Sequence, residues 1–155
     1  MQKEVMAEAI RLAVENVRAR RGGPFAALIV RGGEIVSRGT NRVTSTNDPT
    51  AHAEVVAIRE ACSALVTFEL GDCEIYTTCE PCPMCLGAIY WARLRAIYFG
   101  GTRQDAANAG FDDSLIYQEL QLPFEARQIS MMQCTTEDAL APFRAWQELQ
   151  DKIPY

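Results

Sequence analysis

The sequence predicts an α/β protein: a three-layer α/β/α sandwich on a mixed five-stranded sheet, in a single domain over residues 1–155. Three observations predict it. A chain of 155 residues suits one domain with a sizeable core. Strand-like runs at Glu74–Thr78 and Arg95–Gly100 flank a helical stretch from about Pro83 to Arg93, and strand, helix, strand in series is a crossover unit whose strands run parallel. A hairpin pattern comes earlier, and amphipathic helices stand near both ends.

Taken in order, Val5, Ala9, Leu12, Ala13 and Val17 recur at three- and four-residue steps, so a first helix should end in the basic, glycine-containing run Arg18–Gly23. Pro24-Phe25 opens the apolar run Ala26–Val30, and Arg31-Gly32-Gly33-Glu34 turns it into Ile35–Asn41, a hairpin. A polar connection, Arg42–Thr50, leads through the helix-start signal Asp48-Pro49-Thr50 into a helix from about His52 to Ala64. After the crossover unit, Asp105–Ser114 is small and polar, Leu115–Leu120 makes a turn or two of helix, and Arg127–Met131 is the expected fifth strand. Leu140, Phe143, Trp146 and Leu149 predict a closing helix within Asp138–Gln150.

Two stretches carry chemistry: Thr50-Ala51-His52-Ala53-Glu54 and Cys79-Glu80-Pro81-Cys82-Pro83-Met84-Cys85. Cys82 and Cys85 stand three apart at a proline-marked helix start, which puts both sulfurs on one face. A helix N-terminus also favours their thiolates. His52, the only histidine, completes three ligands, and a catalytic zinc keeps three and leaves the fourth position to water, whose pKa falls to about 7. Glu54 lies beside this set without being needed as a ligand, placed to shuttle protons, whereas Glu80 competes for that role from ahead of the helix. H-x-E followed by P-C-x-x-C matches the signature of the zinc-dependent nucleobase deaminases. A different class stays open on the residues alone: Cys79, Cys82 and Cys85 form C-x-x-C-x-x-C, which could close a structural zinc with His52 or contribute to an iron–sulfur cluster.

A net charge of −5 argues against a broad phosphate-binding surface. From Asp105 to Tyr155, nine acidic residues face only Arg127, Arg144 and Lys152, a poor place to dock RNA. The N-terminal residues lack the pattern of a secretory signal, and no stretch is long enough to span a bilayer. The six cysteines are therefore expected reduced, in the cytoplasm, with Cys62, Cys73 and Cys134 as small core or surface residues.

Beyond the signature, Gly23-Pro24-Phe25, Asn41, Asn47–Val55, Cys79–Arg93, Ala109–Ser114 and Tyr155 together resemble the bacterial guanine deaminases of the cytidine deaminase-like fold, over nearly the whole chain. The first and central motifs are shared with tRNA adenosine and cytosine deaminases; Gly110-Phe111-Asp112-Asp113-Ser114 and the aromatic-ended tail point to guanine. The resemblance implies one zinc per chain on His52, Cys82 and Cys85, with Glu54 as proton shuttle. It implies Phe25 and Asn41 lining the purine pocket, the Ala53 backbone bonding the base, and Asp113 as a second catalytic residue, holding the base's amine and N1 edge and assisting proton transfer. It further implies a homodimer that exchanges C-terminal segments, so that Tyr155 reaches a neighbour's pocket, with a small purine as substrate and neither nucleic acid nor membrane as partner. Guanosine, a triazine, cytosine or tRNA adenosine are the alternative substrates.

Overall fold

The computed structural model describes residues 2–136 and 138–155. The first helix, α1 (Gln2–Arg18), buries Val5, Ala9, Ala13 and Asn16 along one stripe. β1 (Ala26–Arg31) and β2 (Glu34–Thr40) form the hairpin, turned by Gly32 and Gly33 at φ 59° and 90°, a region glycine enters without a Cβ penalty. One short turn, α2 (Val43–Thr46), precedes α3 (Ala53–Leu65). β3 (Cys73–Cys79), α4 (Pro83–Trp91) and β4 (Ala96–Gly101) make the crossover, with β3 and β4 parallel as expected. α5 (Arg103–Asn108), α6 (Ser114–Gln121) and α7 (Ala141–Glu148) follow, with a 3₁₀ turn at Phe124–Ala126.

The sheet is mixed, in the order β2-β1-β3-β4, with β1 antiparallel to both of its neighbours. Among the described residues it has four strands, not the expected five. Arg127–Met131 is irregular backbone, and Ile129 is 81% exposed. Alternation there imitates a half-buried strand, but a strand exists only through pairing, and this segment pairs with none of the four. The layers are as predicted. α1 packs on one face against Leu28, Val30 and Tyr76, while α3 and α4 pack on the other against Ala27, Ile29 and Ile75. That explains why β1 is buried along nearly its full length rather than alternately.

Two compact units divide the chain, the first running through Ser114 and the second from Leu115 to Tyr155. The first holds the whole sheet and α1 to α5. In the second, the 3₁₀ turn and α7 bury no residue, and Phe124, Ile129, Met132, Phe143 and Tyr155 are each more than half exposed. Among the described residues no helix is long and apolar enough to cross a membrane. All six cysteines are free, Cys73 buried, Cys62 half-buried and Cys134 exposed.

The height of α3 over the sheet is set by small residues. Ala53, Ala57 and Ala61 are fully buried at four-residue steps, and Ser37 Oγ donates to Ala57 O at 2.7 Å. Opposite them, a Cβ on Gly39 would lie 2.1 Å from Ala53 O and 2.5 Å from Ala57 N. Backbone cannot yield as a side-chain tip can. Gly39→Ala is therefore expected to cost at least the roughly 1–3 kcal/mol of ordinary overpacking and to shift the start of α3. Thermal melting should show a Tm lowered by several degrees, and a variant melting with the wild type would mean the helix has slack that this packing does not show.

Candidate active site

His52 is the N-cap residue of α3, with extended backbone, and its imidazole is half-buried. The Asp48-Pro49-Thr50 signal serves a different turn from the one expected of it. Asp48 Oδ1 accepts from Thr50 N at 2.8 Å and from Thr50 Oγ1 at 2.6 Å, so the aspartate organises the approach and the helix starts at Ala53.

α4 begins the same way. Cys82 is its N-cap, Pro83 occupies the first turn, and Cys85 is fully buried. Cys82 Sγ lies 3.5 Å and Cys85 Sγ 3.4 Å from His52 Nδ1, and the three donor atoms all fall within 4.8 Å of one another. Tetrahedral zinc with Zn–N near 2.0 Å and Zn–S near 2.3 Å requires N···S separations of about 3.5 Å. The donor set therefore fits zinc in element type, count and spacing, with one position left over. Hydrogen bonding from the Cys85 thiol, aided by His52, holds Cys82 down at about 4 against the opposing effect of burial. Cys85 is pushed up because it keeps the proton it shares, and burial adds to this. Hydrogen bonding to Cys82 raises His52. Loss of the Cys85 proton would leave two adjacent thiolates, which need a cation, and both helix N-termini aim their partial positive charge here.

Glu54 stands in the first turn of α3 and is 6% exposed. Its Oε1 accepts from Thr77 Oγ1 at 3.0 Å and its Oε2 lies 3.4 Å from Cys85 Sγ. Burial raises its carboxyl above the usual range, partly opposed by these bonds. A surface acid of a helix first turn would show neither feature. The other two candidates nearby are occupied elsewhere. Glu80 Oε2 accepts from Arg103 N at 3.0 Å, capping α5 alongside the Thr102–Asp105 capping box. Cys79 Sγ faces Thr102 O at 3.5 Å and is pushed up to about 11, chiefly by burial and then by Glu54, Glu80, Asp113 and Asp105. It stands outside the three-donor group, so C-x-x-C-x-x-C does not close a four-ligand site.

The expected purine-lining residues fall in two places. In the first unit, Phe25 packs edge-to-face on Phe111, with centroids 4.9 Å apart. Asn41 is buried, and its Oδ1 accepts from Gly23 N (3.2 Å) and Val43 N (3.3 Å). Both neighbours are N–H donors, so the oxygen must face them and the amide NH₂ is the end left for other partners. Ala53 is the first residue of α3, where the N–H has no carbonyl within the helix. Asp113 is half-buried and raised by burial, then by the charge of Cys82, and it makes no part of the three-donor group; Asp112 caps Ser114 N at 2.9 Å. Tyr155 ends the second unit, 73% exposed.

Sequence reasoning passed over Thr77 and Asn16. Thr77 follows Cys73 and Ile75 on the face of β3 turned to α3, and a fully buried hydroxyl on an otherwise apolar face was the available signal. Asn16 ends the buried stripe of α1 as its only amide.

This geometry agrees with what comparison with known proteins finds. The zinc-binding region of cytidine and deoxycytidylate deaminases matches residues 1–101. The guanine deaminase of Bacillus subtilis is 54% identical over 147 residues, 95% of this chain and 94% of its own length. Its crystal structure superimposes with a TM-score of 0.97 at 52% identity, covering 99% of this chain and 98% of that one. The guanine deaminase of Nitrosomonas europaea gives a TM-score of 0.67 at 34% identity, covering 70% and 63%. The tRNA-specific adenosine deaminase of Agrobacterium fabrum is 44% identical, but over only 54% of this chain and 59% of its own. The tRNA deaminase thus matches about half of the chain, and the likeness that runs through nearly all of it, beyond the family region at residues 1–101, is to a guanine deaminase. With a zinc-type donor set, a buried carboxylate beside it and a match that runs the length of the chain, the protein belongs to the zinc-binding cytidine and deoxycytidylate deaminase family, among its bacterial guanine deaminases.

Proposed function

We propose that the protein is a guanine aminohydrolase, converting guanine and water to xanthine and ammonia. The observation that carries the reaction type is the three-donor cluster of His52, Cys82 and Cys85 with buried Glu54 against it. What zinc supplies there when bound is a water with a pKa of about 7, acidic enough to act as nucleophile at neutral pH. A C–O bond forms at C2 of the base, the bond from C2 to the exocyclic nitrogen breaks, and that nitrogen leaves as ammonia. Glu54 takes one proton of the attacking water and gives it to the ring nitrogen, then takes the second from the new C2 hydroxyl and gives it to the departing amine, so that one water yields the C2 carbonyl and ammonia. A carboxyl raised by burial above its usual range suits a group that must give protons as well as take them. Thr77 orients it through Oε1.

The choice of base follows from polarity. Asn41 offers its NH₂ and Asp113 its carboxylate. Guanine presents acceptors at O6 and N7 and donors at N1 and the 2-amino group, whereas adenine reverses the polarity at position 6 and bears a bare acceptor at N1. Phe25 and the Ala53 backbone complete the pocket. We further propose one zinc per chain, one functional domain over residues 1–155, a cytoplasmic role in purine breakdown and no nucleic-acid partner, and a homodimer that exchanges the segment from Leu115 onward, bringing Tyr155 to the neighbour's pocket. The exposed apolar side chains of the second unit support the exchange.

Ammonia release from guanine, guanosine, a triazine, adenine, cytosine and tRNA tests the function directly. Guanine should be turned over best, Asp113→Asn should lower its kcat/KM by about 100-fold or more, and an enzyme silent on every base would end the proposal. Glu54→Gln should keep zinc, by metal analysis of one equivalent per chain, and lose about 100-fold or more in kcat, while Glu80→Gln, which can still accept from Arg103 N, should keep its turnover. Loss of zinc from Glu54→Gln would instead make that carboxylate a ligand. In sedimentation the protein should run at twice its chain mass, and truncation before Leu115 should abolish activity; a fully active monomer would refute the exchange.

A further inference from the structure

Asn16 is fully buried at a position where the α1 stripe otherwise carries Val5, Ala9 and Ala13. Its Nδ2 donates to Gly23 O at 3.0 Å and to Asn41 O at 2.9 Å, and its Oδ1 is buried without a hydrogen-bond partner. An apolar side chain of this size would spare the unpaired acceptor, which detracts from stability. What the carboxamide contributes is therefore in its two donors, and both end on the segments that carry Phe25 and Asn41. Those segments are also tied to each other. Gly23 N donates to Asn41 Oδ1, Phe25 N donates to Gly23 O at 2.9 Å, and Asn41 N donates to Phe25 O at 3.0 Å. Gly22 closes the ring sterically, since a Cβ on it would lie 2.1 Å from Asn41 O.

We propose that Asn16 is a positioning residue for base selection, holding Gly23 and Asn41 so that the Asn41 carboxamide keeps its oxygen on the loop and its NH₂ toward the base. This rests on Asn41 reading the purine. Without the two donors of Asn16, Gly23 N moves away from Asn41 Oδ1, and the carboxamide, its oxygen left with Val43 N alone at 3.3 Å, turns more readily to present that oxygen instead. A turned carboxamide accepts from a 6-amino group where the held one donates to O6, so the base preference is the property that should change.

The measurement is the ratio of kcat/KM for guanine to that for 2,6-diaminopurine, both read as ammonia release, in the zinc-loaded enzyme. Asn16→Leu should lower kcat/KM for guanine about tenfold, mainly through KM, and shrink the ratio about tenfold, roughly the worth of one hydrogen bond. In an Asn41→Ala background the same change should leave the ratio where Asn41→Ala alone puts it. If Asn16→Leu does not accumulate as folded protein, Asn16→Ser, smaller and with one donor left, should move the ratio in the same direction by less. A ratio unchanged in the folded variant, whatever happens to Tm or total rate, or a shift that persists without the Asn41 side chain, would overturn the proposal. Absence of guanine turnover in the wild type would instead remove the proposed function itself.

Discussion

The meeting of His52 Nδ1 with the sulfurs of Cys82 and Cys85, at 3.5 and 3.4 Å, requires two helices to start at fixed heights over one sheet. α3 sits low because alanines face Gly39 and Ser37 of β2. α4 is set differently, by the parallel register of the two strands it joins and by Ile89 and Ala92 in the shared core. Beyond the ends of those strands the stitching continues: Glu80 N donates to Gly101 O at 2.8 Å and the Glu80 carboxylate takes Arg103 N. The loop that delivers Cys82 is thereby tied to α5, which leads on to Asp113. Both cysteines and the histidine lie at the end of the sheet where β2, β3 and β4 finish and β1 begins, the carboxyl end of the parallel crossover pair, where its loops are open.

Burial then decides which of several similar groups has which role. Glu54 and Glu80 are both glutamates beside the ligands, yet one is enclosed against Thr77 and Cys85 and the other caps a helix at the surface. Cys79 and Cys82 are both thiols of one motif. Cys82 has Cys85 and His52 to stabilise its thiolate, while burial, and then the surrounding carboxylates, disfavour one at Cys79. A shared spacing does not make a shared ligand set; the field at each sulfur separates them.

What was legible in the sequence was periodic or chemically dense. α1, the hairpin, the crossover and the ligands announce themselves through repeated apolar steps or through residue types that seldom cluster without a metal. The fifth strand failed because Arg127–Met131 has the alternation of a strand and no partner to pair with among the described residues, and pairing is a property of the whole fold. The helix from about His52 was legible, but its start signal acts otherwise than expected: Asp48 turns the chain through Thr50 and the helix begins at Ala53, because Asp-Pro-Thr suits a side-chain turn as well as a helix start. Asn16 and Thr77 were illegible for another reason. Each is a single polar residue inside an apolar pattern, and its meaning lies in partners 25 and 23 residues away.

The division of labour that results is physical as well as spatial. In the proposed reaction His52, Cys82, Cys85 and Glu54 act on an amino-bearing carbon and a water, which many bases provide, so they would set the reaction and leave the base open. Asn41 and Asp113 differ in the sign of what they present. Two backbone N–H groups occupy the Asn41 oxygen, leaving a donor, and Asp113 is an acceptor when ionised. A base with matching polarity satisfies both at once. A base with either edge reversed strands a buried polar group, and sites built on such hydrogen bonds reject the wrong partner by about 10⁴–10⁵-fold, against about 10–200-fold for a methylene in an apolar pocket. If Asn41 reads the base as proposed, selectivity of that kind depends on the donor staying a donor, and thus on the closed ring of bonds around Gly23, Phe25 and Asn41.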